Sequence, residues 1–188
     1  MAWLRRATVL GAAAAGVAAG YAGVVTGAVT VDTGWGRRMR ALGPQTVEIA
    51  ASRETVFEVI AQPYLGRTTR AMREKVRVLE RGEDMVLAAH YTPVAGGRLT
   101  TTTVETVRFE RPHRVAFRLL RGPVPHVTET FDLTERTGGT RLEYRGELCT
   151  DGGPIGARWG SLVARSWDAT VTATLADIRR EAEHRARR

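Results

Sequence analysis

Two glutamates interrupt strand faces that are otherwise apolar or hydroxylated. Glu129 alternates with Val127, Phe131 and Leu133, and Glu105 alternates with Thr101, Thr103, Val107 and Phe109. Successive strand side chains point to opposite faces, so each glutamate shares a face with those neighbours. A carboxyl in apolar surroundings keeps its proton to higher pH and can act as a general acid or base. The same residues equally suit three plainer roles: polarity in a ligand cavity, pairing with an arginine, or a place at an exposed rim. Phe117 alternates with Val115 and Leu119, and Tyr144 with Leu142, Gly146 and Leu148. Trp159, Val163 and Trp167 recur at helical spacing near the C-terminus and read as core or as the wall of a ligand space. Ser166, Thr170 and Thr174 offer hydroxyls beside that face, or bond back to their own helix. Tyr91 is a further polar tip.

Other chemistries are excluded or disfavoured. The serines are Ser52, Ser161 and Ser166; none sits in a Gly-x-Ser-x-Gly elbow. No glycine-rich phosphate loop follows a strand and opens a helix. Cys149 is the single cysteine, so no internal disulfide forms. His90, His113, His126 and His184 lack partners at metal-ligand spacing. No metal and no cofactor is expected.

The elements that must position these residues follow from pattern. Gln45–Ala50 alternates as a short strand. Ser52 is a good N-cap for a helix bearing Val56, Phe57, Val59 and Ile60, which Pro63 should end. Six strand-like stretches follow, at 75–81, 85–92, 98–110, 113–121, 124–135 and 140–150, separated by short turns such as Gly82-Glu83-Asp84 and Thr137-Gly138-Gly139-Thr140. Short turns between successive strands make an antiparallel meander. Asp151-Gly152-Gly153-Pro154 breaks the sheet. A helix of about 30 residues then carries Trp159, Leu162, Val163, Trp167, Val171, Leu175 and Ile178 on one face. The expected fold class is α+β, with a curved antiparallel sheet wrapped around a long C-terminal helix.

The N-terminus reads differently. Residues 7–31 carry no charge and are long enough to cross a bilayer core as a helix. A cleaved signal peptide is the rival, but its apolar core is normally shorter. The expected organisation is therefore a membrane anchor at 1–31, a glycine-rich linker at 32–44 and one domain at 45–188. Small-xxx-small spacings at Gly16/Gly20 and Gly23/Gly27 leave a helix-mediated homodimer open. Arginines flank both ends of the run, so its orientation is undecided.

Lys+Arg total 28 against 20 Asp+Glu, a net charge of +8. Lys75 is the single lysine, and the arginines are interleaved with glutamates, as in Arg141-Leu142-Glu143-Tyr144-Arg145. That pattern describes a solvated face, and no nucleic-acid partner is expected. The arginines at 179, 180, 185, 187 and 188 suit the negative end of a helix or an anionic lipid.

The order of elements resembles the SRPBCC superfamily, the START-related helix-grip fold of the birch-pollen allergen and of polyketide cyclase/dehydrase-like proteins. The resemblance spans about residues 45–183. It rests on Val47-Glu-Ile-Ala-Ala-Ser-Arg-Glu-Thr-Val-Phe-Glu-Val-Ile60, on Thr130-Phe-Asp-Leu-Thr-Glu-Arg-Thr-Gly-Gly-Thr-Arg-Leu142 and on the final helix. It implies a deep cavity between sheet and helix that often holds an apolar ligand, and it implies no single activity. The first expectation is thus membrane-anchored binding of a hydrophobic small molecule or lipid, in a membrane-localised single-pass protein. Its cavity candidates are Glu105, Phe117, Glu129, Phe131, Tyr144, Trp159, Val163 and Trp167. The alternatives are a polyketide cyclase/dehydratase-type enzyme using a cavity carboxylate, and a protein-interaction module of the same fold. Two facing buried carboxyls would favour the enzyme. An interior filled by Trp159, Trp167 and Phe117 would favour the module.

Overall fold

The computed structural model describes residues 16, 18–66 and 74–188. Seven strands form one antiparallel sheet: β1 (Arg38–Ile49), β2 (Val76–Arg81), β3 (Met85–Val94), β4 (Leu99–Glu110), β5 (Arg114–Arg121), β6 (His126–Arg136) and β7 (Gly139–Thr150). Their order is β1-β7-β6-β5-β4-β3-β2. Strands β2 to β7 are a simple meander, and β1 returns to the free edge of β7. Helix α1 (Arg53–Leu65) follows β1, and α2 (Gly153–Ala186) ends the chain. Register shifts in β1, β2 and β5 add local twist and bend the sheet. The bent sheet grips α2, which packs on β1, β7 and α1. This is the α+β helix-grip arrangement.

Local chemistry explains the elements. The Ser52 hydroxyl accepts from the Thr55 amide at 3.2 Å and caps α1. Helix α1 does not stop at Pro63. It continues to Leu65, and the Gly66 amide closes the last turn on the Gln62 carbonyl at 2.9 Å. This extension turns Tyr64 into the core beside Phe57 and Ile60. Helix α2 has 34 residues, about 51 Å at 1.5 Å per residue. Its buried stripe runs through Val163, Ala164, Val171, Leu175, Ile178 and Ala182.

The first strand begins at Arg38, before the alternation at Gln45. Residues 38–42 pair with Thr150 to Gly146 of β7. Ahead of them, the chain from 18 to 36 lies against the domain. It is helical at 18–25, turns at 26–29 and then runs extended. The Thr102 amide donates to the Thr26 carbonyl at 2.9 Å, and the Thr101 hydroxyl donates to the Val25 carbonyl at 2.7 Å.

Among the described residues no helix is long and apolar enough to cross a membrane. This overturns the expected N-terminal transmembrane helix. The membrane partner, the single-pass membrane localisation and the membrane-anchored mode of binding fall with it. The physical reason lies in the second half of the uncharged run. Alanine, glycine and threonine make it only weakly apolar, and from Thr26 onward its backbone bonds to the domain instead of continuing as a helix. Residues 1–15 and 17, which carry the rest of that run, lie outside the described residues. Gly27, one of the expected helix–helix contact points, is instead buried against Thr102 and Gly122 of its own chain.

Candidate functional site

Sheet register converges the two glutamates. Phe117 of β5 pairs with Glu129 of β6, which pairs with Gly146 of β7. Phe131 pairs with Tyr144 one step along. Glu105 of β4 lies between Ala88 of β3 and Leu119 of β5. Both glutamates are buried, as are Phe131, Tyr144 and Val163. Gly146 makes room at the centre: a Cβ there would lie 3.2 Å from both the Glu129 Cγ and the Tyr144 hydroxyl.

Glu129 is held by neutral donors. The Tyr144 hydroxyl and the Trp167 indole N–H each donate to its Oε1 at 2.6 Å. Burial pushes its pKa up, the charge of Glu105 pushes it further, and these two hydrogen bonds pull back only in part; the result is about 7. Both donors fall on one oxygen, so the proton of the neutral acid belongs on Oε2. Burial and the Glu129 charge raise the Tyr144 hydroxyl far above its ordinary range, so it stays a donor.

Glu105 has an imidazole partner. Its Oε2 lies 3.3 Å from His90 Nδ1, and His90 Nε2 lies 2.9 Å from the Tyr64 hydroxyl. Burial opposes charge on both members. The charge of His90, with hydrogen bonds from His90 and Thr103, outweighs it and leaves Glu105 below the ordinary carboxylate range. The Glu105 charge and hydrogen bond likewise outweigh burial at His90 and raise its pKa. Both directions favour the charged form of the pair. With His90 protonated, its Nε2–H donates to the Tyr64 oxygen. The Tyr64 proton, held by burial and the neighbouring carboxylates, is left free to donate elsewhere.

Aromatic rings form the floor between these groups. Phe117 meets Phe131 edge-on at 5.6 Å, Phe131 meets Tyr144 at 5.4 Å, and Tyr64 meets Phe117 at 6.1 Å. Phe117 and Trp167 pack against the core yet are only partly buried, and the His90 side chain keeps 17% of its exposure. The aromatic interior thus reaches the surface at Phe117, Trp167 and His90, with two carboxyls, an imidazole and two phenols beside these rings. Trp159 stands at one end, its indole N–H donating to the Pro123 carbonyl at 2.8 Å and its ring edge-on to Tyr21 at 6.2 Å.

The family described as polyketide cyclase / dehydrase and lipid transport matches residues 44–183. The chain belongs to this family. Solved structures agree on the fold. The ZhuI aromatase/cyclase from Streptomyces sp. R1128 is similar at a TM-score of 0.60 and 21% identity, over 79% of this chain and 96% of that one. The di-domain aromatase/cyclase StfQ from the steffimycin biosynthetic pathway gives 0.62 at 15% identity, over 80% of this chain and 52% of that one. Norcoclaurine synthase from Thalictrum flavum, in complex with dopamine and hydroxybenzaldehyde, gives 0.51 at 13%, over 74% and 88%. No curated protein matches.

In this polyketide cyclase / dehydrase family member, the interior gathers Glu105, Phe117, Glu129, Phe131, Tyr144 and Trp167, with Val163 beside them on α2 and Trp159 at the rim. Four other hydroxyl candidates lie elsewhere, Ser166 among them on the exposed side of α2. Thr170 and Thr174 are exposed and donate to the carbonyls of Ser166 and Thr170, at 3.0 and 2.9 Å. Tyr91 pairs with Thr102, on the strand face opposite Glu105. Sequence reasoning missed His90 and Tyr64. The signal for His90 was its alternation with Val86 and Ala88. Tyr64 was hidden by reading Pro63 as the end of the helix. Among the described residues no cluster of His, Cys, Asp or Glu suits a metal ion.

Proposed function

We propose that this family member is a cyclase/dehydratase-type enzyme that closes a ring in an apolar, carbonyl-bearing chain by aldol condensation and loss of water. The carrying observation is Glu129: a buried carboxyl with a pKa near 7 and both donors on one oxygen, facing an aromatic interior. At neutral pH it exists in both forms, which is what a proton shuttle requires.

The steps balance on one residue. Ionised Glu129 takes a proton from the carbon between two carbonyls, and the resulting enolate carbon attacks a second carbonyl carbon. A carbon–carbon bond forms, and the oxygen of that carbonyl takes the proton back from Glu129. Glu129 then removes a second proton from the same carbon and returns it to the departing hydroxyl, releasing water and leaving a double bond. Tyr64, oriented by His90 and Glu105, donates to a substrate carbonyl and polarises it. Phe117 and Phe131 hold the chain folded for attack and keep water away. The similarity to an aromatase/cyclase supports this choice of reaction class.

The test is incubation of the protein with a synthetic poly-β-ketone thioester, followed by mass spectrometry for loss of one water. Wild type should give the dehydrated cyclic product, and Glu129→Gln should bind the thioester without converting it. Equal conversion by the variant overturns the role of Glu129. Binding without mass change in wild type overturns the enzyme. It would favour the second reading, binding of a hydrophobic small molecule or lipid without chemistry, for which the continuous aromatic floor is the supporting observation.

A further inference from the structure

We propose that residues 18–36 are a gate that closes the substrate space at the end bounded by β4, the turn between β5 and β6, and the start of α2. The inference rests on the ligand-holding interior described above and adds how that interior opens.

The sheet has a gap there. Pairing of β4 with β5 ends at Val104 and Arg121, so the first residues of β4 have no strand on that side. The N-terminal segment fills the gap. The Thr102 amide, which would otherwise face an absent neighbour, donates to the Thr26 carbonyl at 2.9 Å. Thr30 bonds both polar groups of Gly122: its hydroxyl donates to the carbonyl at 2.7 Å and accepts from the amide at 3.1 Å. Thr101, on the same face as Thr103 and Glu105, spends its hydroxyl on the Val25 carbonyl. The segment therefore touches the inner face of the sheet as well as its edge. Tyr21 lies against Trp159 at the rim.

The way the segment is held separates a gate from a fixed wall. Gly27 is its one buried residue among those described. Its aromatic side chains stay largely exposed: Tyr21, which meets Trp159 only edge-on, is 59% exposed and Trp35 73%. Polar contacts hold it, and water can replace them, so opening exposes little new apolar surface. At its far end the chain is anchored. Asp151 accepts from the Thr33 and Gly34 amides at 2.7 Å each and from Arg37 Nε at 2.8 Å, and there the segment joins β1. A segment weakly held along its length and firmly held at one end moves as a flap about that end.

Gly27 supplies the test. It has φ +71°, and a Cβ there would lie 2.2 Å from the Thr102 carbonyl oxygen, so any side chain forces the segment off β4. The probe is 1-anilinonaphthalene-8-sulfonate, with its release followed by stopped-flow fluorescence. Gly27→Val should speed release at least tenfold while near-ultraviolet dichroism stays native. Thr30→Val, which removes only the Gly122 bonds, should speed it about fivefold, on the order of one hydrogen bond. Unchanged release from a folded Gly27→Val protein overturns the gate, whatever becomes of the Glu129 assay. If Gly27→Val does not fold, unchanged release from Thr30→Val overturns it equally. Failure of wild type to take up the dye overturns both the gate and the interior it closes.

Discussion

Two buried carboxylates in this protein meet opposite fates, and the contrast lies in their partners. Glu129 sits in the aromatic interior and receives hydrogen bonds from a phenol and an indole. Asp151 sits where β7 meets α2 and receives the Arg37 guanidinium and two backbone amides. Neutral donors do not replace the lost hydration of a carboxylate, so burial raises Glu129 to about 7. The Arg37 hydrogen bond and the amides more than offset burial at Asp151 and hold it well below the usual carboxylate range. Burial alone therefore does not mark a catalytic group. A buried acid matched with a cation is a structural joint, and a buried acid matched only with dipoles is left able to exchange a proton near neutrality. Glu105 falls between the two: it is buried in the interior but paired with His90.

The largest test of this contrast is Glu129→Gln. It keeps shape and removes the exchangeable proton, and turnover should fall by about 10²–10⁴ while the fold persists. Steady-state kinetics beside a thermal melt checks this, and a variant that keeps full turnover breaks the contrast at its centre.

Next in size is Phe131→Ala, which removes the ring between Phe117 and Tyr144. Urea unfolding should show a loss of roughly 3–5 kcal/mol, typical of a buried phenylalanine. Water admitted beside Glu129 should also bring the acid limb of any activity profile, where the base loses its charge, to lower pH.

Tyr144→Phe is smaller and sharper. It deletes one of the two donors that stabilise the ionised form of Glu129, so the pKa of Glu129 should move up and the pH–rate profile with it. A profile that moves down, or stays fixed, contradicts the assigned direction.

The smallest effect is in stability against pH, where the two acids should have opposite signs. Glu129 binds its proton more tightly in the folded than in the unfolded state. Its contribution is fully favourable below the unfolded value, roughly 4.3, and is lost as pH rises toward about 7. Asp151 is the reverse. Its contribution is present above the unfolded value, roughly 3.9, and is lost as pH falls below it. Melting curves from pH 3 to 8 should show Glu129→Gln gaining on wild type toward the alkaline end. Asp151→Asn should approach wild type toward the acid end. Parallel curves for either variant contradict its assigned shift.

Much of the fold was legible because its signals are local. The alternation of Leu142, Tyr144, Gly146 and Leu148, the Ser52 cap and the periodicity of Val163, Val171, Leu175 and Ile178 each follow from a few neighbouring residues. Strand alternation likewise put Glu105 and Glu129 on inward faces. The errors arose where local rules compete with distant partners. Pro63 normally ends a helix, yet α1 closes one more turn through Gly66 and delivers Tyr64 to His90. The uncharged N-terminal run has a spanning length, yet its second half has backbone partners in Thr101, Thr102 and Gly122.

The amino-acid sequence by itself determined the order of strands and helices and which side chains face inward, because periodicity is set within a few residues. Only the tertiary structure decided which inward acid would exchange a proton near neutrality and which would favour its charged form. That choice depends on groups far apart in the chain, Trp167 for Glu129 and His90 for Glu105. It also decided the place of residues 18–36, since an apolar segment settles where unpaired backbone groups await it, and no local pattern reveals where those are.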